Sequence, residues 1–471
     1  MSLNLKFKLS VFVGKLVFIG LKLLGRQGTA LPGKIALKLY PSILKEMGKK
    51  CEKILIISGT NGKTTTNNLI NHILNGKYDN IVSNLKGANM IQGVVTSFIV
   101  NDKNNYDWGV FEVDEGSIPT VTQYIDNPDY IILTNFFKDQ LDRFGEVENT
   151  IKIVHDGLID IDSTLILNGD DPSSLKFNDL NSKKIYYGLN ENKFSKTNEI
   201  DEAIFCDECG NKLDYDFISY GNVGKYYCDK CGLKRPNLDY LAESIDIKDN
   251  IYEFTVKTRS KKNERSKKNE KSKGREKGKG NEIINFKYLG IYNIYNSTSA
   301  IAFASEIGLN LSFIKERIES FDYKLGRMET IKFPEKEVVL VLSKNPVGLS
   351  EVLTTFTYDE SKKSIMFIFN DTPADGEDIS WIWDANFEEL NRIKNIASVY
   401  CSGVRAEDVA LRIKYTGFDK DKIKVFSSSN ENDVKTPIND FLNQNIEKLF
   451  IIGTFTATPI ARAILIEKLS K

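Results

Sequence analysis

The sequence has few of the side chains that catalyse reactions through a cysteine nucleophile and a histidine base. Its 471 residues include two histidines, His72 and His155, and six cysteines, four of which form two Cys-x-x-Cys pairs. Outside these pairs only Cys51 and Cys401 remain, and neither lies in a nucleophile motif. Because a cysteine nucleophile needs a base such as histidine to activate it, we do not expect this chain to hydrolyse an amide through cysteine by itself.

The sequence also lacks a net charge, since Lys plus Arg and Asp plus Glu both number 64. No overall field therefore attracts nucleic acid or an anionic membrane, and any basic patch has to be local. The paired cysteines are typical of a metal site in a reducing compartment rather than of a disulfide framework, which indicates the cytosol.

No uninterrupted apolar run reaches the roughly 20 residues that a membrane-spanning helix needs. The apolar stretch Leu9 to Leu24 is interrupted by Lys15 and Lys22, and no small-residue cleavage site follows it. We therefore expect a helix packed on the first domain rather than a signal peptide. The alternative in which this helix also rests on a membrane surface stays open.

The chain is organised around the stretch Lys53 to Ile70, which joins a buried strand to a helix through a glycine-containing loop. Such a loop presents backbone N–H groups to phosphate, and the helix that follows directs its positive end at the anion. In this pattern Lys63 reaches the outer phosphates of a nucleotide and Thr64 binds Mg²⁺. A plain strand-to-helix turn is the alternative. The predicted ATP-binding residues of the loop are Gly59, Thr60, Asn61, Gly62, Lys63, Thr64 and Thr65.

Apolar β-rich runs then alternate with helical stretches, which predicts a doubly wound parallel sheet with its ligand beyond the carboxyl ends of the strands. Polar side chains follow three of these runs: Glu112, Asp114 and Glu115; Asn135, Asp139, Asp142 and Arg143; Asn168, Asp170 and Asp171. Each group alone is typical of a helix cap or turn. Because they recur at successive strand ends, we expect one shared site. In this site Glu112 completes the Mg²⁺ site begun by Thr64. Side chains alternate between the two faces of a strand, so Asp114 is expected on the same face as Glu112.

Two Cys-x-x-Cys pairs separated by 18 residues have the spacing of a zinc ribbon. Four thiolates fill a tetrahedral site, so the zinc is expected to be structural. A redox dithiol pair and a nucleic-acid-binding ribbon are the alternatives. The predicted zinc ligands are Cys206, Cys209, Cys228 and Cys231.

The stretch Lys257 to Glu282 is of low complexity and is predicted to be a disordered basic insertion. A tether for RNA or lipid head groups is the alternative. After it, Asn293 and Asn296 are expected near the nucleotide, and Arg327 lies at the predicted domain boundary near Leu325.

A second set of alternating strands and helices then carries a loop, Asn370 to Asp384, with aspartates beside two tryptophans. We interpret this loop as functional rather than as plain surface.

Together these motifs resemble the MurT family, the Mur-ligase-like subunits of lipid II isoglutaminyl synthase. The residues that carry the resemblance are GTNGKTTT, EVDE, TNFFKDQLDRFGE, NGDDP, the four-cysteine ribbon, GIYNIYNSTSA, GRMET, KNPVG and NDTPADGEDISWIWD. The resemblance implies an α/β fold with a Mur-ligase-type central parallel-sheet ATPase domain at 1–325, containing a four-cysteine zinc ribbon at 203–236 and the basic insertion at 257–282. A Rossmann-like C-terminal α/β domain is expected at 326–471.

The resemblance also implies the chemistry. ATP phosphorylates the α-carboxylate of D-glutamate in a lipid-linked peptidoglycan precursor, and ammonia displaces the phosphate to give D-isoglutamine. Lys63 and Arg327 neutralise the transferring phosphoryl group, and Asn296 contributes to the ATP site. Where the classical ligases carry a histidine after the residue matching Asp139, this chain has Gln140, so a second metal bound in their manner is not expected.

Because this chain lacks a glutaminase motif, ammonia is expected from a separate glutaminase chain. The resemblance implies that this glutaminase is a GatD-like subunit in a heterodimer. In the family an aspartate of the C-terminal domain completes the partner's catalytic residues, and we rank Asp378 first, Asp375 second and Asp384 third. We expect at most peripheral membrane contact and no nucleic acid partner. A folylpolyglutamate-synthetase-like or Mur amino-acid ligase, a zinc-ribbon nucleic-acid-binding NTPase and a soluble or pseudomurein-type substrate are the alternatives.

Overall fold

The computed structural model describes residues 3–26, 28–85, 88–138, 146–196, 204–248, 251–258, 281–322 and 327–470, with backbone alone at positions 3, 4 and 327. The chain divides into two compact units. The first comprises Met1–Phe136 and Val147–Phe321, and the second comprises Phe137–Glu146 and Asp322–Lys471. The predicted boundary after position 325 falls outside the described residues, so the domain limits given above stay predictions.

The first unit contains helices and strands in alternation. Its helices α1 to α9 are Leu3–Leu23, Leu31–Leu39, Ile43–Gly48, Lys63–Leu74, Ile91–Asn101, Ile118–Tyr124, Val147–Asp156, Ile291–Glu306 and Leu311–Glu319. Its strands β1 to β11 are Cys51–Ser58, Ile81–Ser83, Tyr106–Glu112, Tyr130–Leu133, Thr164–Asn168, Lys183–Leu189, Asp214–Tyr220, Val223–Tyr227, Tyr240–Lys248, Ile251–Thr258 and Asn281–Phe286.

These strands confirm the predicted parallel sheet and extend it. The sheet has the order β11-β10-β9-β6-β5-β4-β1-β3-β2, and it is parallel from β2 to β9. Strands β10 and β11 add an antiparallel edge. Four consecutive residues of β1, Ile54 to Ile57, are buried, because the sheet is covered on both faces. This burial explains the uninterrupted apolar run of the P-loop strand.

The sequence from Ile35 to Met47 predicts a single helix before the P-loop strand, and this prediction is wrong, because the structure has two helices there, α2 and α3. Pro41 lies between them, and a proline disfavours the helical conformation of the residue before it. Tyr40 accordingly ends α2 with extended dihedrals, φ −147° and ψ 91°. The helical periodicity is therefore present, but the helix is interrupted at Tyr40 and Pro41.

The basic insertion is shorter than predicted at both of its ends. Lys257 belongs to β10 and pairs with Asn281 of β11, and its ammonium group forms an ion pair with Glu243. Strand pairing depends on backbone hydrogen bonds rather than on apolar side chains, so β10 and β11 extend into the polar segment. The remainder of the predicted insertion, 259–280, lies outside the described residues.

The second unit is another α/β layer structure. Its strands β12 to β17 are Arg327–Phe333, Lys336–Leu342, Lys363–Ile368, Ile396–Ser402, Ile423–Val425 and Lys448–Gly453, and its helices α10 to α13 are Pro346–Thr357, Ala406–Tyr415, Lys435–Leu442 and Ala457–Leu469. The sheet order is β12-β13-β17-β14-β15-β16, with only β12 antiparallel to its neighbour. Ile365 and Phe367 enter one core while Met366 and Ile368 enter the other. Both faces of this sheet are therefore covered, as the sequence pattern predicts.

Candidate functional site

The loop between β1 and α4 requires glycine at two positions. Gly59 and Gly62 have φ angles of +114° and +89°, in the range that residues with a Cβ rarely adopt. A Cβ on Gly59 would lie 2.4 Å from Thr134 Oγ1, and one on Gly62 would lie 2.2 Å from Asn296 Oδ1. The loop can therefore keep this shape only with these glycines, and the shape places the start of α4 where an anion can approach its backbone N–H groups.

The end of β4 fixes the loop from one side. The backbone N–H of Thr60 donates to Asn135 O at 2.7 Å, and that of Asn61 donates to Asn135 Oδ1 at 2.9 Å. Thr134 Oγ1 donates to Asn61 O at 2.7 Å. Asn135 thus supports the loop, as its place at a strand end suggested. The candidates Asp139, Asp142 and Arg143, together with Gln140, lie outside the described residues.

The structure brings the two predicted magnesium ligands together. Thr64 Oγ1 donates to Glu112 Oε1 at 2.9 Å. Glu112 is 2 % exposed, and its Oε2 has no hydrogen-bond partner among the described residues. Buried polar atoms are nearly always paired, and hydroxyl and carboxylate oxygens are ligands that Mg²⁺ prefers. The donor set therefore fits a magnesium ion, and the unpaired oxygen is the atom that such an ion would satisfy.

Lys63 lies at the start of α4 with a buried ammonium group. It donates to the carbonyls of Gly59 and Thr60, and it pairs with Glu115 Oε2 at 3.1 Å. Glu115 was recognised in the sequence only as one of several strand-end carboxylates, and its pairing with the P-loop lysine was missed. Strand alternation does not place Asp114 on the same face as Glu112, because β3 ends at Glu112 and Asp114 lies beyond it.

Two asparagines of α8 complete the surroundings of the loop. Asn296 and Asn293 are both buried, Asn296 Nδ2 donates to Asn293 Oδ1 at 3.3 Å, and Asn293 Nδ2 donates to Leu289 O at 2.7 Å. Asn296 lies next to Gly62 of the loop, and its contribution to ATP binding stays a prediction. Arg327 is the first residue of β12, and its side chain lies outside the described positions, so its role stays a prediction.

Asp170 and Asp171 were expected in the same polar site, but protein donors occupy their carboxylates. Asp170 accepts from Arg235, from the backbone N–H of Leu189 and from Tyr295, each at 2.7 Å. This arrangement ties the ribbon segment and α8 to β6.

The neighbouring Asp171 accepts from the backbone N–H groups of Phe136 at 2.8 Å and Ser173 at 2.9 Å. Burial raises the pKa of Asp171 to about 6. Both aspartates therefore have structural roles that local sequence patterns do not reveal.

The four ribbon cysteines converge on one point. Their Sγ atoms lie within 4.8 Å of one another, and the Cys206–Cys231 and Cys209–Cys228 pairs are each 3.5 Å apart. Tetrahedral zinc with Zn–S bonds of about 2.3 Å requires sulfur separations of about 3.8 Å. Strands β7 and β8 form an antiparallel pair between the two knuckles. The cluster therefore fits a closed zinc site with four cysteine ligands and no open position for catalysis.

The loop after β14 places its aspartates in different environments. Asp375 is buried and accepts from the backbone N–H and hydroxyl of Thr456, at 2.7 and 2.6 Å, and from the hydroxyl of Thr372 at 2.7 Å. Asp378 is exposed and accepts from the backbone N–H of Ser380 at 2.7 Å, and this hydrogen bonding lowers the pKa of its carboxyl group. Asp384 is exposed as well.

The two cysteines outside the ribbon are not poised for nucleophilic attack. Burial raises the pKa of both the Cys51 and the Cys401 thiols to about 12, so neither forms a thiolate near neutral pH. His155 faces Asp179 at 3.0 Å and His72 faces Arg317 and Ser320. These environments agree with the expectation that the chain does not hydrolyse amides through cysteine.

Comparison with known proteins identifies two domain families in this chain. Residues 57–223 match the Mur ligase middle domain, and residues 342–458 match the MurT ligase C-terminal domain. The lipid II isoglutaminyl synthase (glutamine-hydrolyzing) subunit MurT of Streptococcus pneumoniae is 34% identical over 460 residues, covering 97% of this chain and 96% of the relative. The subunit of the same name from Staphylococcus aureus is 34% identical over 406 residues, covering 86% and 87%.

A solved structure shows the same fold over most of the chain. The pseudomurein peptide ligase type C from Methanothermus fervidus superposes with a TM-score of 0.66 at 22% identity, covering 92% of this chain and 84% of that protein. At this identity the likeness supports the fold and not the substrate. The two family matches and the relatives that align along nearly the full length place this chain in the MurT family of Mur-ligase-like proteins.

Proposed function

We propose that this chain is the ATP-dependent synthetase subunit of a lipid II isoglutaminyl synthase and that it works in the cytoplasm. The observation that carries the proposal is the buried contact between Thr64 and Glu112 at the phosphate loop, with one carboxylate oxygen left for a cation. Membership of the MurT family supports this particular reaction, because the relatives are named as subunits of a glutamine-hydrolysing lipid II isoglutaminyl synthase.

The proposed reaction has two steps. A carboxylate oxygen of the D-glutamate residue attacks the γ-phosphorus of ATP, and the bond from that phosphorus to the β,γ-bridging oxygen breaks, which releases ADP and leaves an acyl phosphate. Ammonia then attacks the carbonyl carbon, the carbon–oxygen bond to the phosphate breaks, and inorganic phosphate leaves as the nitrogen loses a proton. The sum converts a carboxylate, ATP and ammonia into an amide, ADP and phosphate.

The protein contributes positioning and charge to the first step. The backbone N–H groups from Gly59 to Thr65 surround the phosphates, and the ammonium of Lys63 moves from Glu115 and the loop carbonyls to the charge that develops on the transferring group. Thr64 and Glu112 would hold Mg²⁺, which supplies further neutralisation of phosphate charge when bound. Asn296 fixes the position of the loop through its contact with Gly62.

Ammonia comes from a second chain in this proposal. Of the chain's own cysteines outside the ribbon, Cys401 is buried and Cys51 is partly buried, and the pKa of both thiols is raised. The relatives are named as subunits of a glutamine-hydrolysing enzyme. A GatD-like glutaminase is therefore the proposed partner in a heterodimer. Asp378 is the best candidate to assist it, because its carboxylate is exposed while that of Asp375 is held by Thr372 and Thr456.

The surface near Asp378 has the character of a docking face. Trp383 and Tyr415 are 48% and 72% exposed, their rings contact edge-on at 5.6 Å, and the Arg412 guanidinium lies 5.7 Å from the Trp383 ring. Arg412 is itself buried and supports the ring rather than facing a partner, but tryptophan and tyrosine are residue types enriched at the centres of protein interfaces. We therefore place the glutaminase against Trp383 and Tyr415, beside the Asp378 loop.

The test is an amidation assay on the chain co-purified with its glutaminase, supplied in turn with glutamine and with ammonium salt. Lys63→Ala should abolish amidation from both nitrogen sources, whereas Lys77→Ala, at an exposed lysine of the same unit, should leave it unchanged. Asp378→Asn should retain ammonia-dependent amidation and lose the glutamine-dependent reaction, and Asp421→Asn, at an exposed aspartate of the same unit outside this loop, serves as its matched control. Full amidation by Lys63→Ala would refute the proposed site.

A further inference from the structure

The outward face of α1 is apolar although it faces solvent. Six large aliphatic or aromatic side chains lie on it, each between 46% and 83% exposed. Their spacing of three or four positions places them in one stripe along the helix. We call it the α1 stripe; its members are Leu5, Leu9, Phe12, Leu16, Ile19 and Leu23.

The opposite face of α1 is the one that packs on the first unit. Phe7 and Val11 pack against its core, and a Cβ on Gly14 would lie 2.7 Å from Ile99 Cδ1 of α5. A surface helix normally has polar residues on its outer side. This helix is instead apolar on both sides. Packing on the first unit explains the apolar residues of the inner face but not the α1 stripe on the outer face.

The beginning of the chain also has a strongly biased charge. Its first 45 residues contain no aspartate or glutamate, whereas the whole chain is neutral. Two of the basic residues are neutralised by ion pairs, Lys15 with Asp102 and Lys45 with Asp126, while Lys8 and Lys22 are exposed and flank the stripe. The basic residues of this segment are Lys6, Lys8, Lys15, Lys22, Arg26, Lys34, Lys38 and Lys45.

We infer that α1 lies flat on an anionic membrane surface, with the α1 stripe inserted among the acyl chains and the lysines at the head groups. Helices of this kind combine an apolar face with Lys or Arg on the polar side, and basic residues near an anionic surface strengthen the attachment. Protein interfaces are depleted in lysine, so this charge pattern favours a lipid partner over a second protein.

We do not infer that α1 spans the membrane. No helix among the described residues is long and apolar enough to cross a membrane. The 21 residues of α1 extend over about 30 Å, enough for the α1 stripe to make a continuous line of contact along the surface. The inference rests on the proposed function in one respect: a lipid-linked substrate presents its peptide next to the membrane, where an enzyme bound in this way would meet it.

The test measures binding of the purified full chain to sedimented vesicles of phosphatidylglycerol and phosphatidylcholine, and to vesicles of phosphatidylcholine alone. Wild type should bind the anionic vesicles more strongly, with affinity falling as salt rises. The double variant Phe12→Ser/Ile19→Ser should bind at least about tenfold more weakly, since it removes two inserted apolar side chains. The matched control is Ile159→Ser/Ile283→Ser, whose isoleucines are each 52% exposed in the same unit, and it should bind like wild type.

A charge variant tests the second half of the inference. Lys8→Glu/Lys22→Glu should also weaken binding to the anionic vesicles by about tenfold or more at low salt. Lys420→Glu/Lys422→Glu, an equal charge change at exposed lysines of the second unit, should not.

Vesicle binding needs no turnover, so Lys63→Ala should bind as wild type does even though it cannot amidate. Failure of the proposed reaction would leave these measurements unchanged. The inference is overturned if wild type does not bind the anionic vesicles, or if the stripe variant binds them equally well. It is also overturned if the stripe variant loses only self-association in light scattering, which would make this face an interface between copies of the chain.

Discussion

Replacing Gly62 by alanine tests the shape of the phosphate loop. The residue has φ +89°, and a non-glycine residue in the left-handed region costs about 1–2 kcal/mol. The added Cβ would also lie 2.2 Å from Asn296 Oδ1, inside any real contact distance, so either the loop or Asn296 has to move. The N–H groups that face the phosphates then lose their alignment. We expect nucleotide affinity to fall at least tenfold, about 1.4 kcal/mol or more.

Gly308→Ala is the matched control for this experiment. Gly308 follows α8 with φ +86°, and a Cβ there would have no atom within 4 Å. It therefore carries the same backbone cost as Gly62→Ala without the collision. Each kcal/mol corresponds to about 2–4 °C in melting temperature for a domain of about 150–250 residues, so Gly308→Ala should melt a few degrees lower and bind nucleotide normally.

The assay combines thermal unfolding with calorimetric titration of a non-hydrolysable ATP analogue in the presence of Mg²⁺. Bound nucleotide should raise the melting temperature of wild type and of Gly308→Ala, and it should raise that of Gly62→Ala far less. Nucleotide affinity equal to wild type in Gly62→Ala would refute the assignment of this loop. An equal loss in Gly308→Ala would show that backbone strain, and not the contact with Asn296, is the cause.

Three further predictions concern the metals and a buried acid. Glu112→Gln keeps an acceptor for Thr64 but removes the charge next to the proposed cation, so the Mg²⁺ concentration that half-saturates ATP binding should rise at least about tenfold, as titration of Mg²⁺ at fixed ATP would show. The purified chain should contain zinc by elemental analysis, and chelation or Cys228→Ser should unfold the ribbon, since structural zinc contributes about 10 kcal/mol or more; circular dichroism and protease sensitivity measure this. Burial raises the pKa of Asp171 to about 6, above the roughly 3.9 of an unfolded chain, so its protonation stabilises the fold at low pH and this contribution is lost as pH rises through about 6. The stability deficit of Asp171→Asn in urea unfolding should therefore shrink from about pH 4 to about pH 6, and a constant deficit would contradict the assignment.

The features that could be predicted are those encoded within a few positions of one another. The sequence Gly59 to Thr65 has the spacing of a phosphate loop, and the structure gives it positive-φ glycines in front of a helix. The cysteine pairs are another case, because knuckle spacing alone predicts convergence. The prediction that Glu112 lies next to Thr64 agrees with the structure, because polar residues at the carboxyl ends of parallel strands gather at one edge of the sheet; its magnesium role stays a prediction.

Features that depend on distant partners were not predictable. Asp375 looked as available as Asp378 in the sequence, yet it accepts hydrogen bonds from Thr456, 81 positions away. Asp170 likewise has its charge partner Arg235 at a separation of 65 positions. The pair between Lys63 and Glu115 also arises from the alignment of two strands and not from a motif. Polar residues in loops take their roles from the tertiary structure, which local patterns do not contain.

The measurement that tests the central claim most directly is the mass of the product made from a lipid II-type substrate by this chain and its glutaminase, with glutamine and Mg²⁺-ATP. We predict an ATP-dependent product in which one carboxyl OH is replaced by NH2, together with one ADP for each amide formed. A product heavier by an amino-acid residue, or amidation without ATP consumption, would contradict the account.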